Sequence, residues 1–96
     1  MTAPAGGSPF VRDFRIVNKR GLHARAAARF VQCVERFDAA ITVAKDQAKV
    51  DGSSIMGLMM LAAGPGCKIR VLAEGEDAAK AVFEIEALLK RKFDED

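Results

Sequence analysis

The sequence predicts an α+β fold in two layers, with four strands in a sheet and three helices lying on one sheet face. Three observations lead there. The hydrophobic period switches repeatedly between two residues and about 3.6, giving the order β-α-β-β-α-β-α. Turn and cap residues stand at the switches. With 96 residues the chain has room for a single modest core, so helices and sheet must bury their apolar sides against each other.

Residues 1–9 are small, polar and rich in Gly and Pro, and read as a disordered tail without the features of a signal peptide. Over 10–17, Phe10, Phe14 and Ile16 share a face opposite Asp13 and Arg15, as in a half-buried strand. Asn18-Lys19-Arg20-Gly21 is a polar connection with a turn glycine. From 24 to 37 the period is helical, with Ala27, Phe30, Val31 and Val34 on one stripe and Arg29, Gln32 and Glu35 off it. Asp38 ends that helix. Ile41 and Val43 share a face of a strand over 39–44; Lys45-Asp46-Gln47 turns the chain into a short return strand at 48–50, completing a hairpin.

Asp51-Gly52-Ser53-Ser54 supplies a loop and cap for a short helix from 55 to about 61, which Gly64-Pro65-Gly66 stops. Cys67, Ile69 and Val71 then alternate with Lys68, Arg70 and Leu72 in a fourth strand. Asp77 is a cap for the last helix, 78 to about 92, whose inner stripe is Ala78, Val82, Ile85 and Leu89. Lys90, Arg91 and Lys92 suit the negative end of its dipole. Phe93-Asp94-Glu95-Asp96 reads as a short acidic tail. The expectation is one domain over 10–93 between tails at 1–9 and 94–96, with Phe10, Phe30, Phe37 and Phe83 in the core.

Composition narrows the function. Fifteen Lys and Arg against thirteen Asp and Glu leave a net charge of +2, without the basic excess of a nucleic-acid binder. There is no Trp or Tyr, so a ferredoxin-like RNA binder would lack both a stacking platform and a basic stripe. Cys33 and Cys67 are far apart and read as small buried apolar residues rather than metal ligands. One His with no second ligand argues against a metal, and no parts of a serine-hydrolase triad are evident. The longest apolar run, 55–63, is too short for a bilayer and contains Gly57. A cytoplasmic monomer with reduced thiols, no cofactor and no membrane insertion is expected.

The only histidine, His23, stands where the first helix begins. A helix start leaves backbone N–H groups without partners and carries partial positive charge, so phosphate binds there readily. A neutral imidazole is a competent nucleophile near neutral pH. Arg25 can reach a phosphate on the ring with a charge-assisted pair, and Gly21 lets the backbone bend tightly. The residues alone leave open a plain cap or surface histidine. Ser54 reads most simply as an N-cap. In the short helix Leu58 and Leu61 suit the core, whereas Ile55, Met56 and Met59 would form an exposed, adaptable docking patch.

The run Gly21-Leu22-His23-Ala24-Arg25-Ala26-Ala27 closely resembles the active-site signature of the histidine-containing phosphocarrier (HPr) family of the bacterial phosphotransferase system. Ser53-Ser54-Ile55-Met56-Gly57-Leu58-Met59 is similar to its second signature. Ala73-Glu74-Gly75-Glu76-Asp77 with Lys80-Ala81-Val82 resembles its strand-to-last-helix junction. The likeness spans about Phe10 to Lys92 in the same element order.

The resemblance implies an HPr-like open-faced sandwich with an antiparallel sheet. It implies that His23 is phosphorylated, on either ring nitrogen, with Arg25 and the backbone of Ala24, Arg25 and Ala26 supporting the phosphoryl group. Enzyme I would be the donor and IIA-type proteins the acceptors, so the chain would be a carrier rather than an enzyme. Ser54, or Ser53 beside it, would be the target of an HPr kinase/phosphorylase. Partners would dock on Ala28, Arg29 and Gln32 of the first helix and on Ile55, Met56, Gly57, Met59 and Met60 of the second. Glu35, where relatives often carry Lys, would tune which acidic partner binds. The family's Pro after the Arg is Ala26 here, which keeps the helix but adds an N–H near the phosphate. Sugar uptake and a regulatory branch are both open. The alternative is a regulatory module of the same fold acting through Ser54 without phosphoryl carriage.

Overall fold

The computed structural model describes residues 9–94. Apart from Pro9, the expected N-terminal tail lies outside the described residues, as do Glu95 and Asp96. The elements follow the expected order: β1 (Phe10–Arg15), α1 (Ala24–Val34), β2 (Ala40–Lys45), β3 (Ala48–Asp51), α2 (Ile55–Met60), β4 (Lys68–Glu74) and α3 (Ala78–Lys90), closed by a short turn at Lys92–Asp94. The strands form one antiparallel sheet in the order β1-β4-β2-β3.

Alternation decides which sheet face the helices cover. Ile41 and Val43 of β2 and Ile69, Val71 and Ala73 of β4 are buried, while Lys68, Arg70 and Glu74 between them are exposed. The helices lie on that apolar side: α3 packs on β1 and β4, α2 on β3, and α1 against both other helices. Phe30, Ile16, Leu58, Ile85, Val43 and Val71 are among the fully buried side chains of this single core. No helix among the described residues covers the open face of the sheet.

Several sequence expectations are corrected. β1 ends at Arg15, not 17, because Ile16 leaves the ladder to exchange hydrogen bonds with the β4 entry: its N–H donates to Cys67 O (2.8 Å) and its carbonyl accepts from Gly66 N–H (2.7 Å). α1 stops at Val34, since Arg36 and Phe37 donate three residues back and tighten the last turn. α3 stops at Lys90, because Lys92, Phe93 and Asp94 all turn left-handed, with φ of 56°, 56° and 62°.

Phe10 and Phe83, placed in the core by the sequence, are 46% and 67% exposed, whereas Phe93, assigned to a tail, is buried. Phe10 lies on the edge strand, and Phe83 falls beside the buried stripe of α3. Phe37 is half-buried against the core, and so is Cys67, unlike the buried Cys33. Asp77 occupies the cap position of α3, but its carboxylate makes no cap bond. It accepts the backbone N–H of Asp38 (2.9 Å), while Asp77 N–H donates to Asp38 O (3.0 Å). This reciprocal pair ties the loop after α1 to the start of α3.

Candidate functional site

The His23 turn is built by its loop. Asn18, read from sequence as part of a polar connection, is fully buried, and its Nδ2 donates to Gly21 O at 2.9 Å. Gly21 has φ +66°, and a Cβ there would lie 2.5 Å from Ala63 O and 2.8 Å from the Gly64 Cα. Leu22 is buried and donates its N–H to the same Ala63 O (2.9 Å). The loop is thus fastened to the segment between α2 and β4, which fixes where His23 emerges. Asn18 is the residue that the sequence reading missed. The available signal was an Asn three residues before a turn glycine, a spacing that suits a side-chain-to-backbone turn.

His23 is the N-cap residue of α1, with φ −77° and ψ 179°. Its carbonyl accepts the N–H of Ala27 (2.8 Å), while its side chain makes no cap bond to the helix. The N–H groups of Ala24, Arg25 and Ala26 precede the first intrahelical acceptor, and no acidic residue sits in the first turn. The positive end of the α1 dipole therefore meets no carboxylate from its own first turn. His23 is half-buried rather than enclosed, and Arg25, two residues on, is exposed with no acidic partner among the described residues. Ala26, where the signature has Pro, is fully buried. Its methyl serves the core while its N–H remains in the opening turn.

α2 presents the second signature. Ser54 Oγ accepts Gly57 N–H at 2.9 Å, the cap expected. A Cβ at Gly57 would lie 3.1 Å from Val50 Cβ and 3.2 Å from Ser54 Oγ, so glycine keeps this corner uncrowded. Ser53 is engaged otherwise: its hydroxyl and its N–H both donate to Asp51 Oδ1 (2.7 and 2.8 Å), which holds the Asp51 carboxyl below its usual pKa. Leu58 and Leu61 are buried, as expected, while Met56 and Met60 are 70% and 78% exposed and Ile55 and Met59 both 40%.

α1 and α2 pack side by side, so the expected docking residues fall on neighbouring elements. On α1, Gln32 is exposed and Ala28 half-buried. Arg29 is also half-buried, with its Nη1 3.9 Å from Asp94 Oδ2, so it is tied to the C-terminal turn rather than standing fully open. No group of three or more His, Cys, Asp or Glu capable of holding a metal occurs among the described residues, and no helix among them is long and apolar enough to cross a membrane.

The family model for the phosphotransferase-system HPr component phosphorylation site matches residues 10–91. The chain belongs to the HPr family. HPr of Treponema pallidum is 42% identical over 86 residues, covering 90% of this chain and 98% of that protein. The phosphocarrier NPr of Shewanella violacea is 44% identical over 84 residues, covering 88% and 92%. Among solved structures, HPr of Thermoanaerobacter tengcongensis superposes with a TM-score of 0.86 at 41% identity, covering 91% of this chain and 98% of that one. HPr of Bacillus anthracis gives 0.80, also at 41%, covering 84% and 96%. The antiparallel open-faced sandwich of HPr is therefore the fold of this chain, and phosphoryl carriage in a phosphotransferase system is the general role of its family.

Proposed function

We propose that the chain accepts a phosphoryl group on His23 from phospho-enzyme I and passes it to a IIA-type protein, in the cytoplasm and as a monomer. The observation that carries this reading is the half-exposed His23 at the N-cap of α1, beside three N–H groups without intrahelical acceptors and an exposed Arg25. In the forward step a lone pair on one imidazole nitrogen attacks the phosphorus, a new N–P bond forms, and the donor's bond to phosphorus breaks in line. The phosphoryl oxygens then face the N–H groups of Ala24, Arg25 and Ala26 and the Arg25 guanidinium. Transfer onward reverses these roles. Positioning and charge stabilisation do the work, and the chain is a co-substrate, not an enzyme.

Docking of successive partners falls to Arg25, Ala28, Arg29 and Gln32 on α1 and to Ile55, Met56, Gly57, Met59 and Met60 around α2. Flexible Met side chains suit a surface that meets several partners. Ser54 is the residue we assign to an HPr kinase/phosphorylase. A phosphate at this helix start is tolerated by the fold while the docking surface gains about −1.5 to −2 charge.

Incubation with enzyme I and phosphoenolpyruvate should give an acid-labile phosphate that is absent in His23→Ala and retained in Ser54→Ala. A phosphate that is acid-resistant, made only with ATP and a kinase while His23 stays inert, would replace this reading with a regulatory module.

A further inference from the structure

On the open face of the sheet, opposite the helices, lies a concavity of about 670 Å³. Pockets that seat small molecules run from roughly 300 to 1,000 Å³. It sits at the end of the sheet where β1 leads into the His23 loop, because Arg15 pairs with Lys68 there. The register sets Asp13, Arg70, Ala44 and Lys49 in one row across all four strands. Lys68, Lys45 and Asp46 complete the charged rim, and the half-buried Ala44 and Leu72 give an aliphatic floor.

Both acids of this rim are already matched. The Asp13 carboxylate accepts from Arg70 Nε (2.8 Å) and Nη2 (3.2 Å). Asp46 Oδ2 lies 3.5 Å from Lys45 Nζ, whose side chain is only 22% exposed. Lys49 and Lys68 are exposed; Lys68 adds only a weaker charge attraction to Asp13, whose carboxylate is held first by the Arg70 hydrogen bonds. Four cations against two acids leave the rim with an excess of two positive charges, as large as the net charge of the whole chain. Several cations on the helical side instead lie beside acids, Arg12 and Lys90 at Glu86, Arg36 at Glu84, and Arg29 and Arg91 at Asp94. Lys49 on β3 and Lys68 on β4 stand two strand spacings apart and two residues out of row, roughly 12 Å, so their flexible ammonium groups can close on a ligand from two sides.

We propose that this concavity binds a small organic phosphate carrying at least two negative charges, clamped between Lys49 and Lys68 over the Ala44–Leu72 floor. The site lies on the opposite layer from the α1–α2 patch, so an occupied concavity leaves that patch uncovered.

Titration of the full chain with pyrophosphate, at physiological ionic strength, tests this by amide chemical shifts. Saturable shifts are expected at Ala44, Lys49, Lys68 and Arg70, with at least tenfold weaker binding of orthophosphate. Combining Lys49→Gln with Lys68→Gln should weaken pyrophosphate at least tenfold. Lys80→Gln with Lys90→Gln, which removes the same charge elsewhere, should not. Thermal melts check that both pairs of exposed substitutions leave the chain folded. Shifts confined to residues 24–26, non-saturable shifts, or equal loss in both variants would overturn the proposal. So would a Glu-rich hexapeptide that binds the concavity more tightly than pyrophosphate, since the surface would then be one for an acidic protein segment.

Discussion

Gly21 combines a left-handed backbone with a neighbour where its side chain would have to be. Gly21→Ala is expected to cost at least about 2 kcal/mol, from backbone strain and overpacking together, and to reduce His23 phosphorylation by displacing Leu22 from Ala63. Chemical denaturation measures the first and enzyme I assays the second; a change below about 0.5 kcal/mol would show that the close approach is soft. Arg25→Ala should slow transfer by roughly 10²-fold if its guanidinium stabilises charge at the phosphorus, with stability unchanged because the side chain is exposed. The two thiols should differ. Cys33 is buried, and burial raises its pKa, so iodoacetamide should modify Cys67 first and reach Cys33 only on unfolding. The positions of His23 and Ser54 at helix starts, and of Arg25 in the first turn of α1, were legible because each lies in a run of adjacent signature residues. Asn18 was harder, since its burial comes from chain segments that the sequence reading did not bring together. Phe83 is a different failure: the stripe Ala78, Val82, Ile85 and Leu89 already excluded it by helical angle.

At the level of elements, α2 has only six residues and depends on its cap. Ser54→Ala should destabilise by about 1 kcal/mol, whereas Ser54→Asp, which retains an acceptor, should lose much less; equal losses would mean that the hydroxyl does not hold the helix start. The closing turn makes the opposite bargain, accepting three left-handed non-glycine residues in order to seat Phe93 in the core. Phe93→Ala is expected to cost about 3–5 kcal/mol. Lys92→Gly should instead stabilise by roughly 1 kcal/mol by removing one strained side chain, and both are read from denaturation midpoints. The regular elements were readable because their periods are local. The left-handed turn was not, because no glycine marks it and its energy comes from contact with α1 and α3.

Across the whole molecule, carboxylates favoured in the ionised form set the acid limit of stability. Hydrogen bonds from Arg70 hold Asp13 below its ordinary pKa of 3.8, those from Ser53 do so for Asp51, and Arg91 does so for Asp94. A carboxyl whose folded pKa is depressed contributes fully above its unfolded pKa and loses that contribution as pH falls through the folded value. Stability should therefore be flat near neutrality and fall below about pH 4. Asp13→Asn should be less stable than the parent at pH 7, with the gap closing in stronger acid and shrinking with salt, since the pair is solvent-accessible. A gap independent of pH would assign the effect to packing. At this scale the two-layer arrangement was legible, because β2 and β4 alternate and α1 and α3 each carry one apolar stripe. The concavity of the open face was not, because its rim gathers residues from β1, the hairpin and β4 that only register brings together.

The reciprocal backbone and carboxylate pair between Asp38 and Asp77 joins two connections 39 residues apart in the chain. A chain cut anywhere between them would still have its halves laced at that point, so this protein should be a good candidate for reassembly from two fragments. A permuted version opened at the 45–47 hairpin turn would be the corresponding single-chain design, because that turn lies on the sheet edge away from this lacing.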